Sequence, residues 1–133
     1  IERHCENTQK VANFLSTHNK VSKTIYPSLM NDKPLERAKK YLNNSFGSLL
    51  GFELKNGEEA GRKFIDNLKL LFHVANIGDA RSLAIHPSST THSQLSEKEK
   101  LAAGVTPGYI RLSIGIEHID DIIADIEQAL EKT

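Results

Sequence analysis

The stretch from Tyr109 to Ile116 constrains the fold more than any other. Ile110, Leu112, Ile114 and Ile116 share one face of an extended segment, while Tyr109, Arg111, Ser113 and Gly115 share the other. From about Ile119 the period changes, and Ile122, Ile123, Ile126 and Leu130 recur at helical spacing. Asp120 and Asp121 stand at the positive end of that helix and Lys132 at its negative end. A half-apolar strand running at once into a half-apolar helix buries both surfaces most directly against each other, so this end of the chain predicts a sheet covered by helices. Arg111 then points away from the apolar layer.

The rest of the chain supplies matching pieces. Cys5, Thr8, Val11, Ala12 and Leu15 recur every three or four residues, which predicts a helix starting almost at the first residue. Val21 to Tyr26 alternates imperfectly and stops at Pro27, as a short strand does. After Asn31-Asp32-Lys33, Pro34 suits the first helical position, with Leu35, Ala38 and Leu42 as its stripe. Phe46 to Lys55 reads as a half-buried strand, with Ser48, Leu50, Phe52 and Leu54 opposite Leu49, Gly51, Glu53 and Lys55, and Asn56-Gly57 stops it. A helix from about Glu58 to Leu71 would bury Ala60, Phe64, Ile65, Leu68 and Leu71. Val74 to Ile77 and Leu83 to His86 look like two short strands around Gly78-Asp79, although the gap exceeds a tight hairpin. Ser96-Glu97-Lys98-Glu99 resembles a capping box that opens one or two helical turns. Without strict strand-helix alternation, the expected fold is an α+β sandwich, a mostly antiparallel sheet covered by helices, in a single domain over residues 1–133.

Composition narrows the function classes. At 133 residues, 38% hydrophobic and 26% charged, the chain is long enough for one real core. Seventeen basic against 17 acidic side chains leave no excess positive charge for nucleic acid or an anionic membrane. No run approaches the roughly 18 apolar residues of a membrane span. Cys5, the single cysteine, permits no internal disulfide and suits a reducing compartment, so a cytoplasmic location is expected. Ile1 stands where an initiating Met would be, with no targeting segment to account for a cut, and predicts a piece of a longer chain.

Few residues carry chemistry by pattern. HExxH, CxxC, GxGxxG, GxSxG and phosphate-loop signatures are absent from the sequence. His86 and His92 flank a Ser/Thr loop, but a metal site needs further convergent ligands, so no metal is expected and backbone bonding explains them. Asn43-Asn44-Ser45 matches a glycosylation acceptor without a secretion signal beside it. Cys5 falls on an apolar helix face, where packing is its expected role. Arg111 could hold a carboxylate through two parallel bonds, yet a lone strand arginine also forms surface ion pairs of little worth. Asn76 and Thr91 lie near strand ends, where ligand contacts and plain loop hydrogen bonds are equally at home. These residues alone name no function.

Three linked segments do more. Asn76-Ile77-Gly78-Asp79-Ala80-Arg81-Ser82-Leu83, then His86-Pro87 with Thr90-Thr91-His92, then Tyr109-Ile110-Arg111-Leu112-Ser113-Ile114-Gly115-Ile116-Glu117 occur in order. Together they resemble the C-terminal part of the Cys/Met-metabolism family of PLP-dependent enzymes, over nearly the whole chain. Arg3-His4-Cys5-Glu6-Asn7 and Val21 to Pro27 fit that family's entry into the domain. The resemblance implies a fold-type I enzyme whose large domain holds pyridoxal 5'-phosphate, the reactive lysine and the phosphate loop, and whose small domain closes over the substrate. Only the small domain would be present, with no catalytic or cofactor-binding residue; none of the 12 lysines sits in a context like the Schiff-base motif. The arginine of the R-L-S-x-G-x-E motif falls at Arg111 and would grip the substrate α-carboxylate. Asn76, ahead of Ile77-Gly78, would assist where many relatives carry Ser, and it resembles the sulfhydrylase branch. Ile77 counts with it as a substrate contact, and Thr91 of the T-H pair would position Arg111 or the carboxylate. The implied reaction is a γ-replacement in which acetate leaves O-acetyl-L-homoserine and sulfide adds, giving L-homocysteine, in a homotetrameric enzyme. Cystathionine γ-synthase and methionine γ-lyase chemistry, or a non-catalytic interaction domain, are the alternatives.

Overall fold

A computed structural model describes residues 1–43 and 45–133, so the acceptor pattern around Asn44 lies outside the described residues. The helices are α1 (Glu2–Thr17), α2 (Asp32–Leu42), α3 (Gly57–Asn67), α4 (Glu97–Ala102) and α5 (Ile119–Leu130). The strands are β1 (Val21–Ile25), β2 (Leu49–Leu54), β3 (Phe72–His73), β4 (Leu83–Ile85) and β5 (Tyr109–Ser113). They form one sheet in the order β1-β2-β5-β4-β3, antiparallel except for the parallel β3–β4 pair. The expected α+β architecture, mostly antiparallel and covered by helices, is what forms.

The core lies between one sheet face and α1, α3 and α5. Leu50, Phe52 and Leu54 of β2 and Ile110 and Leu112 of β5 meet Val11, Ala12 and Leu15 of α1, Phe64 of α3, and Ile122, Ile126 and Leu130 of α5. Phe52 and Phe64 pack edge to face with ring centroids 5.4 Å apart, the arrangement that their quadrupoles favour. Lys20 closes the C-terminal end of α5: its Nζ donates to the carbonyls of Leu130, Glu131 and Thr133, a cation where the helix dipole is negative. The capping box at Ser96 forms in full. No helix among the described residues is long and apolar enough to cross a membrane.

Five expectations need correction. Helix α3 stops at Asn67 rather than Leu71, because Asp125 of α5 accepts hydrogen bonds from the backbone N–H groups of Lys69, Leu70 and Leu71. Val74 to Ile77 is not a strand. Phe72 N donates to Ser82 O and Val74 N to Ala84 O, a parallel ladder, and the residues between are drawn toward β5 by side-chain bonds described below. Ile116 leaves the apolar face and is 51% exposed, because its N–H turns to the carbonyl of Ala80 once β5 has ended. Finally, α2 begins at Asp32, so Pro34 is its third residue, a position whose N–H has no intrahelical partner in any case. The Leu35, Ala38 and Leu42 stripe is also not buried: α2 has no buried residue.

Candidate functional site: the open face of the sheet

Helices cover one face of the sheet, and Arg111 stands on the other. It occupies the central strand, with its backbone opposite Gly51 of β2 and Ile85 of β4. Gly51 is needed there because the Tyr109 ring lies diagonally across it; a Cβ would sit 2.5 Å from the ring and its hydroxyl. Burial raises the pKa of the Tyr109 phenol, against the opposing pull of the Arg111 charge, so the hydroxyl stays neutral. The ring fills the β2 side, and the guanidinium reaches the other way. Its Nη2 donates to the carbonyls of Ala75 at 2.8 Å and Asn76 at 3.3 Å. Nε and Nη1 have no protein partner among the described residues, which leaves N–H donors of the guanidinium open to an anion.

The segment that receives Nη2 is itself pinned to β5 and its continuation. Ser113 Oγ accepts from Gly78 N at 3.1 Å, Ile116 N donates to Ala80 O at 2.9 Å, and the Glu117 carboxylate accepts from Ser82 N and Ser82 Oγ at 2.6 and 2.8 Å. Gly78 takes a φ of +73°, a backbone state in which glycine is unstrained. From the helical side, Asn7 of α1 is 1% exposed and its Nδ2 donates to the carbonyls of Gly115 and Glu117.

The residues singled out in the sequence therefore separate. Arg111, Asn76 and Ile77 share one locality, with Asn76 exposed and Ile77 58% exposed at the surface of the pinned segment. Thr91 lies on the turn that follows β4, exposed, with its hydroxyl 2.9 Å from Nδ1 of His92. No hydrogen bond joins Thr91 to Arg111 among the described residues. His86 is fully buried: its Nε2 is 2.7 Å from the carbonyl of Pro107, which can only accept, so Nε2 carries the proton and Nδ1 faces the Ser89 hydroxyl at 2.8 Å. Burial pushes its pKa below the ordinary value. Cys5 is buried in packing. The sequence reading passed over Ser82, Ser113, Glu117 and Asn7. A signal existed for two of them, since Ser113 and Glu117 continue the every-second-residue series that Arg111 begins.

This fold, with helices on one face of its sheet and Arg111 on the other, has a counterpart among solved structures. It matches, with a TM-score of 0.90 and 48% identity, part of a crystal structure of a Campylobacter jejuni protein described as an O-acetylhomoserine (thiol)-lyase with N'-pyridoxyl-lysine-5'-monophosphate; the match covers 98% of this chain and 31% of that one. The chain belongs to the Cys/Met metabolism PLP-dependent enzyme family, which matches residues 1–131. Among curated relatives, an O-acetyl-L-homoserine sulfhydrylase of Leptospira meyeri is 54% identical over 132 residues, covering 98% of this chain and 30% of the relative. An L-methionine gamma-lyase of Fusobacterium nucleatum subsp. polymorphum is 47% identical over 132 residues, covering 99% and 33%. The chain thus spans about a third of the length of the curated relatives it matches.

The family's cofactor is pyridoxal 5'-phosphate, and the groove beside Arg111 does not fit a site for its lysine-bound form. The shallow groove of about 290 Å³ beside Arg111 is lined by Ile25, Pro27, Met30, Leu49 and Tyr109 among others, with no lysine. Lys20 is bound to the end of α5, Lys63 pairs with Glu59, and Lys100 donates to Ser88. What the open face offers is one fixed cation beside apolar walls.

Proposed function

We propose that residues 1–133 form the C-terminal substrate-binding domain of a longer PLP-dependent transferase, in which Arg111 holds the α-carboxylate of O-acetyl-L-homoserine and sulfide replaces acetate to give L-homocysteine. The observation that carries this reading is the half-committed guanidinium, tied through Nη2 to Ala75 and Asn76 with its remaining donors free on the open face. A carboxylate held there by the free N–H donors orients the rest of an amino-acid substrate toward whatever covers the face, and orientation is a large share of catalysis. Asn76 and Ile77 flank that position, and Thr91 would join them only through movement of its own turn. The absent cofactor, when bound by the rest of the protein, would supply the electron sink. We place the reaction in the cytoplasm, in keeping with a lone unpaired cysteine, and the homotetramer implied by the family would be built chiefly by surfaces outside this chain.

Methionine γ-lyase chemistry is the second reading, favoured by the 47% identity to such an enzyme. It and cystathionine γ-synthesis are separated from the first by one assay. The full-length protein is given O-acetyl-L-homoserine with sulfide and cysteine at matched concentration, and L-methionine alone in parallel. Homocysteine as dominant product supports the proposal; cystathionine, or breakdown of methionine, replaces it with a sister reaction; no turnover of any of them supports a non-catalytic domain.

A further inference from the structure

We propose that Glu117 is a positioning residue for the carboxylate grip, acting through Ser82 on the segment that carries Asn76. The inference rests on the reading of Arg111 and Asn76 given above. Its observation is that both oxygens of the Glu117 carboxylate are bound to one residue: one accepts from Ser82 N at 2.6 Å, the other from Ser82 Oγ at 2.8 Å. The hydroxyl, having donated its proton to Glu117, accepts from Gly115 N at 2.8 Å, which closes a small ring of Glu117, Ser82 and Gly115. Ser82 is fully buried in it. Gly115 completes the fit, since a Cβ at that position would overlap the carbonyl of Ala80 and sit 2.5 Å from Glu117 Oε2.

Only a carboxylate of this length meets the requirement. Two donors from one residue, an N–H and an O–H, need two acceptors side by side. A glutamine of the same shape has one acceptor and an NH2 that would face a donor. No cation pairs with Glu117 among the described residues, so its charge is balanced by these dipoles rather than by an ion pair. The arrangement matters to the site because the pinned segment is short. Ser82 anchors its far end, Ala80 is held by Ile116 N at 2.9 Å, Gly78 is held by Ser113 at 3.1 Å, and Ala75 and Asn76 present the carbonyls that orient Arg111 Nη2. Released at Ser82, the segment keeps two single bonds, at Ala80 and Gly78, and loses its doubly bound end, so its carbonyls hold Arg111 less firmly when the substrate arrives.

The test uses the full-length holoenzyme and Glu117→Gln, with Ser82→Ala as the second variant. In Glu117→Gln we expect KM for the homoserine ester to rise about tenfold while kcat changes less than about threefold, the loss of one charge-assisted hydrogen bond expressed through binding. Amide hydrogen exchange at Gly78 and Ser82 should quicken by about tenfold or more, with Leu112 and Ile126 unchanged. Ser82→Ala keeps the backbone bond to Glu117 and should move both readouts in the same direction by less. An unchanged KM, or exchange that quickens equally throughout the protein, overturns the proposal. If Glu117→Gln fails to fold, Ser82→Ala decides by the same two readouts. In a wild-type protein that turns over no homoserine ester the proposed function is lost, yet faster exchange confined to 78 and 82 still supports the clamp and unchanged exchange overturns it.

Discussion

A guanidinium on the uncovered face of a sheet is worth little as a surface charge and much as a fixed recognition group, and substitution tells the two apart. Arg111→Lys in the full-length protein keeps the charge but loses both the tie to Ala75 and Asn76 and the planar set of N–H donors. The expected loss is on the order of 2–4 kcal/mol in kcat/KM, measured with the homoserine ester; a change below about threefold would make it an ordinary surface residue. His86 makes a second prediction. Burial holds its pKa below the ordinary 6.5, with Arg62 and Lys100 acting the same way and the Pro107 carbonyl and Glu58 opposing. The unfolded chain therefore takes up a proton at a higher pH than the native one. Stability from this group is intact above about pH 6.5 and falls as the pH drops below it. Urea midpoints measured between pH 7.5 and 5.5 should decline, and His86→Gln should flatten the decline.

Elements whose partners are coded by periodicity were legible in the sequence; those decided by distant side chains were not. The alternation in β5 placed Arg111 on the face opposite Ile110 and Leu112, and the stripes of α1 and α5 placed the core. The end of α3 was hidden because it depends on Asp125, more than 50 residues along the chain from the N–H groups it receives. The β3–β4 pairing was hidden in the same way, since the bonds from Ser113 and Glu117 that draw the intervening segment aside span 35 residues. Asp125→Ala should then cost on the order of 2–4 kcal/mol, because three backbone donors lose their acceptor at once. Denaturant unfolding would show it, together with faster amide exchange at 69–71. Helices α2 and α5 make a contrasting pair: Ile126→Ala should cost about 2–5 kcal/mol as a core truncation, and Leu35→Ala less than about 1 kcal/mol, since nothing on α2 is buried. Equal losses would mean that α2 packs more tightly than its exposure indicates.

As a whole molecule the chain has a core of its own, and we expect it to unfold cooperatively when produced alone. Incubation with pyridoxal phosphate followed by borohydride should label its lysines weakly and without selectivity, because no lysine lines the groove beside Arg111. Stoichiometric labelling of one lysine would contradict this. The chain's total exposed surface has a thermal consequence as well. The accessible surface is 7576 Å², against about 7000 Å² for a typical monomer of 14.8 kDa. Surface that stays wet in the native state contributes nothing to the heat capacity of unfolding. At about 0.45 cal/K/mol per Å² of apolar area, the roughly 600 Å² excess would lower that quantity by up to about 0.3 kcal/mol/K. The stability of the isolated chain would accordingly vary less steeply with temperature than that of a typical domain of its length, and burying the excess surface against a partner would restore the steeper curve.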